Sequence, residues 1–362
     1  MLFGIREPQQ ARYSMKRVGI HLFGFAWLVI LGPVSSVVAD PTKLPCDRYA
    51  DDNGPCVAAH STVRLLRSAY TGPLYQVRRE GPTMTGTTKD IGVVAGGFAD
   101  AAAQDAFCAT RRCSISIIYD QSGRGNDLTS APGGMSKYTA DNETNAKLAP
   151  ITISGHNLYG EYNPIGVGYR KSEGNGTATG DNPETIYMVA DGRYTNDGCC
   201  FEYGNVEKYG NSYGAGEQEA VYFGKCQIWN KGANSGPWVM ADLGYQSDAA
   251  MFAGSGDGPF NNDPSVTYKF VTGMVKSGKA GFNRLVVKVG NAQSGGLTTV
   301  YDGGRLEPWN PMRKEGGITL GPNGVNNDAG QGKFYEGVMT AHCSSDSADD
   351  DVQANIVSVY GH

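Results

Sequence analysis

The chain has 362 residues, of which 31 are Lys or Arg and 36 are Asp or Glu, and its formal net charge is −5. This mild acidity argues against nucleic acid and against an anionic membrane surface as partners. The 51 glycines follow no fixed period, which excludes a collagen-like chain. Together with 20 tyrosines and 12 phenylalanines, they are typical of many short strands joined by glycine turns.

The N-terminus has the pattern of a secretory signal peptide. Basic residues at Lys16 and Arg17 precede an apolar stretch over residues 18–31, and Val37 and Ala39 stand at the −3 and −1 positions of a cleavage site. The alternative is a membrane anchor, but the apolar stretch is shorter than the ~20 residues that a span needs. We therefore expect residues 1–39 to be an N-terminal extension and signal peptide, and the mature protein to be secreted.

The mature chain carries few helix patterns and many strand patterns. Apolar spacing near 3.6 predicts helices over residues 57–70, 99–107 and 346–359. β-branched and aromatic runs predict strands over residues 114–119, 151–153, 186–189, 220–223, 238–240, 266–275, 285–289, 317–320 and 334–340. Because long helices do not alternate with these strands, the pattern favours an all-β antiparallel sandwich over a parallel α/β fold. No linker or repeat divides residues 40–362, so we expect a single domain.

The eight cysteines all follow the predicted signal peptide, and an even number suits disulfides in an oxidising compartment. Cys46 and Cys56 flank a turn-rich segment, and Cys108 and Cys113 flank a four-residue one, so each pair could close a small loop. The adjacent cysteines at 199 and 200 could bond to each other, pair elsewhere, or stay reduced. Without CxxC pairs and clustered histidines, we expect neither a metal site nor a cofactor.

Other chemistry-bearing residues are less specific. His60 lies in an apolar stretch, and we expect it to be a hydrogen-bonded, half-buried residue rather than a catalytic one. Asn142 and Asn175 begin glycosylation sequons. A glycosidase would need two carboxyl groups, one to protonate the leaving oxygen and one to attack or to activate water. Composition alone cannot choose that pair.

A family resemblance is carried by several longer segments. They are PCDRYADDNGPCVAAHSTVRLLRSAYTGPLYQV, GGFADAAAQDAFCATRRCSISIIYDQSGRGNDL, GTATGDNPETIYMVADGRYTNDGCCFEYGN, GPWVMADL, NPMRKEG and GKFYEGVMT. In this order they resemble the catalytic domain of the fungal-type α-L-arabinofuranosidase B family, glycoside hydrolase family 54. The resemblance implies a secreted enzyme with a concanavalin-like β-sandwich that removes terminal arabinofuranose from arabinoxylan or arabinan with retention. It makes arabinose-containing plant cell-wall polysaccharide the expected partner of a protein that we expect to be monomeric.

The resemblance also assigns disulfides and sugar-binding residues. It implies the pairs Cys46–Cys56 and Cys108–Cys113, and a vicinal Cys199–Cys200 disulfide that forms an apolar platform under the sugar. It places Trp229 in the pocket, where its ring can face the C–H side of a sugar. It makes Asp242 an acceptor for sugar hydroxyls and adds Gly324 to the substrate-binding residues.

Two positions depart from the family pattern. The family nucleophile is a Glu two residues after the aspartate that matches Asp242, and Gly244 stands there. A longer loop places Asp248 at the nucleophile position instead. The family acid position holds Val325, and Asp328 is the nearest carboxylate. We therefore expect Asp248 as a possible nucleophile and Asp328 as a displaced acid, with impaired turnover.

Two alternative functions are consistent with the same departures from the family pattern. The chain could be a non-catalytic arabinose-binding protein that keeps the platform, or a secreted structural or decoy protein without a sugar site. The chain as given stops at His362 where the family's catalytic domain would end, so we expect no C-terminal arabinose-binding β-trefoil and poor anchoring to polymer. The two cysteines left over, Cys226 and Cys343, suggest a fourth disulfide, the alternative being two thiols.

Overall fold

The computed structural model describes residues 43–79, 86–211, 214–228, 231–246, 249–252, 263–278, 283–305 and 307–362. These residues belong to one compact unit of the chain, Ala39–His362. The predicted signal peptide, Trp229 and Asp248 lie outside the described residues. In the part of the chain that is described, no helix is long and apolar enough to cross a membrane.

Strands make up most of the regular structure. In chain order they are Cys56–Ser61 (β1), Tyr75–Arg79 (β2), Thr88–Ile91 (β3), Cys113–Ile118 (β4), Thr129–Ser130 (β5), Pro150–Ile153 (β6), His156–Tyr159 (β7), Glu161–Asn163 (β8), Tyr169–Lys171 (β9), Thr185–Asp191 (β10), Glu202–Val206 (β11), Glu219–Gly224 (β12), Trp238–Gln246 (β13), Ala249–Phe252 (β14), Phe270–Ser277 (β15), Leu285–Asn291 (β16), Ser294–Gly303 (β17), Gly317–Gly321 (β18) and Gly332–Thr340 (β19). The helices are Pro45–Asp51 (α1), Ala101–Cys108 (α2) and Asp346–Tyr360 (α3).

Two antiparallel sheets, each of seven strands within the described residues, form the sandwich. The first has the order β1-β19-β10-β15-β16-β17, with β8 also paired to β19, and the second has the order β14-β13-β12-β11-β18-β9-β5. The sheets approach closely at Gly273 of β15, where a Cβ atom would lie 2.8 Å from Val221 and 3.0 Å from Val239 of the opposite sheet. The expected all-β antiparallel sandwich is confirmed.

Alternation along the second sheet separates a core face from an outer face. Tyr203, Val221 and Val239 lie on neighbouring strands and belong to the main hydrophobic core. Because successive side chains of a strand point to opposite sides, the residues between them face outward. There Tyr222, Trp238 and Met240 form a second, smaller cluster with Cys199, Cys200 and Cys226. This outer face supports the candidate site.

The predicted elements are mostly confirmed. All nine predicted strands coincide with observed ones, although β15 begins at Phe270 rather than at residue 266. The helices predicted at 99–107 and 346–359 are α2 and α3. Asp100 caps α2 by accepting from the Ala103 amide, and Ser345 caps α3 by accepting from the Ala348 amide.

The helix predicted over residues 57–70 is wrong, because this segment contains strand β1 and an irregular continuation. Every residue of β1 is buried, and a continuously apolar run cannot be assigned to helix or strand from periodicity alone. The prediction that His60 is hydrogen-bonded is confirmed, since its ring nitrogens lie 2.9 Å from the Tyr203 hydroxyl and 2.8 Å from the Asn126 carbonyl. The side chain is fully buried, however, and not half-buried as predicted. Helix α1, with Pro45 at its start, was not predicted.

Two disulfides connect helices to adjacent strands. Cys46–Cys56 joins α1 to β1, and Cys108–Cys113 joins α2 to β4. The suggested Cys226–Cys343 bridge is wrong, because both residues are thiols. Cys226 follows β12 on the outer face of the second sheet, whereas Cys343 follows β19 of the first sheet. The assumption that the two lie on adjacent sheet edges therefore fails.

Candidate active site

A vicinal disulfide between Cys199 and Cys200 lies immediately before β11 on the outer face of the second sheet. Its backbone is fastened to the loop that follows β18. The Cys200 amide donates to the Asn327 carbonyl at 3.2 Å, and the Ala329 amide donates to the Cys199 carbonyl at 3.1 Å. The ring packs on the aromatic cluster beneath it and is itself buried, so its sulfur atoms add an apolar group to that cluster.

Asp242 of β13 lies against this disulfide. Its Oδ2 atom is 3.9 Å from the sulfur of Cys200, and its Oδ1 atom accepts from the Gly244 amide at 3.0 Å. Asp242 is buried, and burial raises the pKa of its carboxyl group, an effect that Glu202, the hydrogen bond from the Gly244 amide and Gln218 oppose. The structure thus brings together the predicted site residues Cys200 and Asp242.

A second carboxylate, Glu202, completes this cluster. It is the first residue of β11, two residues after Cys200 in an extended chain and therefore on the same side. One ligand atom from each of Cys200, Glu202 and Asp242 lies within 4.8 Å of the others. Burial, together with the nearby charge of Asp242, raises the pKa of Glu202 well above its usual value. The pair therefore holds a proton at neutral pH, because two buried carboxylates in contact cannot both ionise.

Sequence reasoning missed Glu202, although strand alternation could have found it. Once β11 is recognised, a residue two positions after a site cysteine is expected on the same face. Its contact with Asp242 needs the strand register as well. Ala220 of β12 pairs with both Gly204 of β11 and Asp242 of β13, and these small residues leave space in which the two carboxylates meet.

Gly324 is joined to Asp242 through Gln218. The Gly324 amide donates to the Gln218 side-chain oxygen at 3.1 Å, and the Gln218 side chain also hydrogen-bonds Asp242. A Cβ atom at Gly324 would overlap Glu207 Oε2, at 1.2 Å. Arg170 of β9 fixes the same loop by donating to the Gly324 carbonyl at 2.6 Å. A larger residue at this position would therefore require the Glu207 side chain to move.

Asp328 is held in a different set of contacts. Its carboxylate accepts from Lys137 Nζ at 2.5 Å, and Lys137 also donates to Asp141 at 2.7 Å. Burial raises the pKa of Asp141 to about 6, against the opposing effect of Lys137. Within the described residues, the ion-pair partner of Asp328 is therefore Lys137 and not a member of the Cys200–Glu202–Asp242 cluster.

The two positions that depart from the family pattern carry no carboxyl group. Gly244 has φ +90°, and its carbonyl accepts from Trp309 Nε1 at 3.0 Å. Val325 is half-buried, and its carbonyl accepts from the Ser136 amide at 2.9 Å. Trp229 and Asp248, the other predicted site residues, lie outside the described part of the chain.

The cluster offers little to a metal ion. The sulfur of Cys200 is bonded to Cys199, and a thiolate rather than a disulfide sulfur is the metal ligand. Glu202 and Asp242 would remain as carboxylate ligands, and one of the two holds a proton. The chemistry that the arrangement supports is hydrogen bonding to hydroxyl groups beside an apolar surface.

Comparison with known proteins agrees with this geometry. The family "Alpha-L-arabinofuranosidase B, catalytic" matches residues 45–361. A probable alpha-L-arabinofuranosidase B of Aspergillus fumigatus is 48% identical over 95% of this chain and 66% of the relative, and an alpha-L-arabinofuranosidase of Hypocrea jecorina is 49% identical over 87% of this chain and 62% of the relative. The chain thus spans about two thirds of the length of these relatives.

Solved structures give the same assignment. An arabinofuranosidase complexed with arabinofuranosyl-α-1,2-xylobiose is 47% identical and superposes with a TM-score of 0.80, covering 86% of this chain and 64% of the other. A family 54 arabinofuranosidase soaked with a cyclic sulfate inhibitor gives the same values. The chain therefore belongs to the alpha-L-arabinofuranosidase B catalytic family.

Proposed function

We propose that this protein binds terminal α-L-arabinofuranosyl residues of plant cell-wall polysaccharides and hydrolyses them slowly, as a retaining α-L-arabinofuranosidase. The observation that carries the proposal is the 3.9 Å contact between Asp242 and the vicinal disulfide. It sets a hydrogen-bond acceptor beside an apolar disulfide, a combination that suits a sugar ring with hydroxyls at its edge and C–H groups on its face. The relative bound to arabinofuranosyl-xylobiose supports the same class of ligand.

Slow turnover follows from the carboxyl groups. A retaining glycosidase needs two of them about 5–5.5 Å apart. The positions that the family resemblance assigns to them hold Gly244 and Val325, so substitutes such as Asp248 and Asp328 must act. Asp328 is paired with Lys137 at 2.5 Å and is therefore engaged outside the Cys200–Glu202–Asp242 cluster.

A second candidate function is arabinose binding without catalysis. The geometry of Gly244 favours it, because its amide donates to Asp242 and its φ of +90° is a conformation that other residues adopt only at a cost. The residue thus supports the sugar-binding aspartate rather than supplying a nucleophile. The two functions share the same binding site and differ in turnover alone.

One experiment separates them. Purified mature protein is titrated calorimetrically with methyl α-L-arabinofuranoside and assayed for nitrophenol release from 4-nitrophenyl α-L-arabinofuranoside. We expect binding and slow release, both lost in Asp242→Asn. Binding with release no faster than that of Asp242→Asn supports the binding protein. Absence of binding in the wild type rejects both functions.

We further propose that the protein is exported and glycosylated. Its disulfides and exposed Asn142 and Asn175 support this location. Expression in a eukaryotic secretory host should yield protein in the medium that becomes smaller on deglycosylation. Protein retained inside the cells, or of unchanged size, would contradict the proposal.

A further inference from the structure

A cavity of about 530 Å³ opens at one end of the first sheet. The hairpin of β6 and β7 forms one wall, and the end of β10 and the starts of β15 and β19 form the other. The volume falls within the ~300–1,000 Å³ usual for small-ligand sites. Nothing in the candidate active site uses this cavity.

The cavity has an apolar base and a charged rim. Carbon atoms of Ile151, Leu158, Phe270 and Tyr335 contribute to the lining, and the charged residues are Asp105, Asp191, Lys269 and Lys333. The two acids and two bases balance each other. The lining therefore carries no net charge and offers both donors and acceptors, which suits a neutral ligand that carries many hydroxyl groups.

The charged groups keep hydrogen-bonding capacity for such a ligand. Lys333 Nζ lies 3.7 Å from Asp191 Oδ2, beyond hydrogen-bond distance. Lys269 Nζ lies 4.8 Å from the centre of the Phe270 ring, a contact that occupies none of its N–H donors. The Tyr159 hydroxyl donates to Asp105 at 2.8 Å and fixes that acceptor in place.

Two chain segments run side by side from this cavity to the vicinal disulfide. At the disulfide, the Ala329 amide donates to the Cys199 carbonyl. Midway, the Asn196 side chain donates to the Ala329 carbonyl at 2.8 Å and accepts from the Gln331 amide at 3.0 Å. At the cavity, Lys333 stands beside Asp191.

The separation of the two sites is short. The chain from Ala329 to Lys333 spans at most about 14 Å even when fully extended. Tyr194, half-buried, lies along this path with Lys333 Nζ 5.0 Å from its ring centre, and its hydroxyl donates to the Tyr162 hydroxyl at 2.7 Å. A short oligosaccharide can cover this distance.

We propose that the cavity is an accessory subsite for the neutral saccharide backbone whose arabinofuranosyl branch occupies the Cys199–Cys200 platform. This inference rests on the proposed function and adds the recognition of the polymer. Donors at Lys269 and Lys333 and acceptors at Asp105 and Asp191 would bind backbone hydroxyls, while Phe270 and Tyr335 contribute to the apolar base.

The test compares a short ligand with a long one. Calorimetric titration of the full chain uses methyl α-L-arabinofuranoside and an arabinofuranosyl-substituted xylotetraose. In Lys333→Ala, and separately in Lys269→Ala, we expect the affinity for the oligosaccharide to fall about tenfold, as for the loss of one or two hydrogen bonds to a charged group, and to fall more than the affinity for the methyl glycoside.

Lys89→Ala is the matched control, because Lys89 is an exposed lysine of β3, which belongs to a separate three-stranded sheet. It should leave both affinities unchanged. Equal affinities of wild type and both cavity variants for the oligosaccharide would overturn the accessory subsite and leave the proposed function standing. A wild-type protein that binds neither ligand would instead reject the proposed function. Melting temperatures of the variants verify that they are folded.

Discussion

Glu202 and Asp242 lie on strands that are not neighbours, yet their carboxyl groups meet beside the sulfur of Cys200. Strand β12 separates them and presents Ala220 at the point between them. Both carboxyl groups are buried, so the pair is stable only when it shares a proton. Burial raises the pKa of both carboxyl groups, that of Glu202 well above its usual value.

Substitution of Glu202 tests this protonation state. Glu202→Gln keeps the shape of a neutral glutamic acid, so the melting temperature at pH 7 should stay close to that of the wild type. Glu202→Ala leaves a cavity and should lower the free energy of unfolding by about 2–4 kcal/mol. Thermal and denaturant unfolding measure both, with exposed Glu307→Gln as control. Equal losses in the Gln and Ala variants would show that Glu202 is ionised.

A buried lysine lies between two buried glutamates, and its positive charge should be needed for the stability of the fold. Lys314 Nζ lies 2.9 Å from Glu184 Oε1 and 2.9 Å from Glu219 Oε2, and all three side chains are buried. Removal of one member leaves buried charge uncompensated, so Lys314→Met should lower the free energy of unfolding by about 3–5 kcal/mol. Urea denaturation measures it. The triple variant with Glu184→Gln and Glu219→Gln should recover most of the loss, and no recovery would contradict the charge argument.

The stability of the folded protein should depend on pH because of Asp263. Burial raises the pKa of Asp263 to about 7, and neither of its carboxylate oxygens has a hydrogen-bond partner within the described residues. In the unfolded chain its pKa is about 3.9. Its favourable contribution is therefore complete below about pH 4 and is lost as the pH rises to about 7.

Asparagine cannot ionise, so Asp263→Asn should remove the loss of stability that the wild type shows as the pH rises. Relative to the wild type, the variant should gain stability between pH 4 and 7, by up to about 4 kcal/mol at pH 8. Denaturant unfolding at several pH values measures the difference, and Asp350→Asn, an exposed site on α3, is the control. A difference that stays constant with pH would contradict the raised pKa.

Much of the sandwich follows from local sequence, because its strands are short β-branched and aromatic runs and the turns between them are rich in glycine. The failures have physical causes. Strand β1 is buried along its whole length, so its pattern carries no alternation. Helix α1 lies within a segment that reads as a turn, and its Cys46 is tied to Cys56 at a Cα distance of 5.5 Å. Here a tertiary link rather than periodicity selects the structure.

Only those residues of the candidate site that the family resemblance assigns could be predicted from the sequence. It placed Cys199, Cys200, Asp242 and Gly324, and the described structure connects all four. It missed Glu202, because contact between carboxylates that are 40 positions apart depends on the register of β11, β12 and β13, which no local pattern encodes. The roles of Trp229 and Asp248 stay predictions, and so does the role of Asp328 as an acid.

The vicinal disulfide should matter for binding more than for folding. A two-residue loop removes little entropy from the unfolded chain, so Cys199→Ala/Cys200→Ala should lower the melting temperature only slightly. Loss of the sulfur surface beside Asp242 should weaken binding of methyl α-L-arabinofuranoside by about tenfold or more, the effect of ~1.4 kcal/mol. Calorimetry measures the affinity.

Cys108→Ala/Cys113→Ala provides the matched control, since this disulfide joins α2 to β4 and has no contact with the cluster around Cys200. It should lower the melting temperature and leave the affinity unchanged. Were the vicinal variant to keep full affinity with a lower melting temperature, the Cys199–Cys200 ring would be a structural element alone.

The catalytic rate depends on positions 325 and 244, which hold Val325 and Gly244 instead of carboxylates. With neither family carboxylate in place, release of nitrophenol from an aryl arabinofuranoside should be at least ~10²-fold slower than in an enzyme that has both, the usual contribution of a positioned acid or base. An aryl leaving group needs little protonation. Activity should therefore be measurable on the aryl substrate first and on arabinoxylan last.

Restoration of the acid separates the two missing functions. Val325→Asp should increase arabinoxylan cleavage if Asp248 occupies the nucleophile position, and should leave cleavage undetectable if that position is empty.

If the nucleophile position is empty, Gly244→Glu must be added to Val325→Asp. Although a Cβ atom at Gly244 would have no described neighbour closer than 3.4 Å, its φ of +90° would cost roughly 1–3 kcal/mol in a glutamate. The double variant should therefore cleave arabinoxylan at the expense of a lower melting temperature. Wild-type protein that cleaves arabinoxylan at an ordinary enzymatic rate would contradict this view of the site, because other carboxyl groups would then have to act.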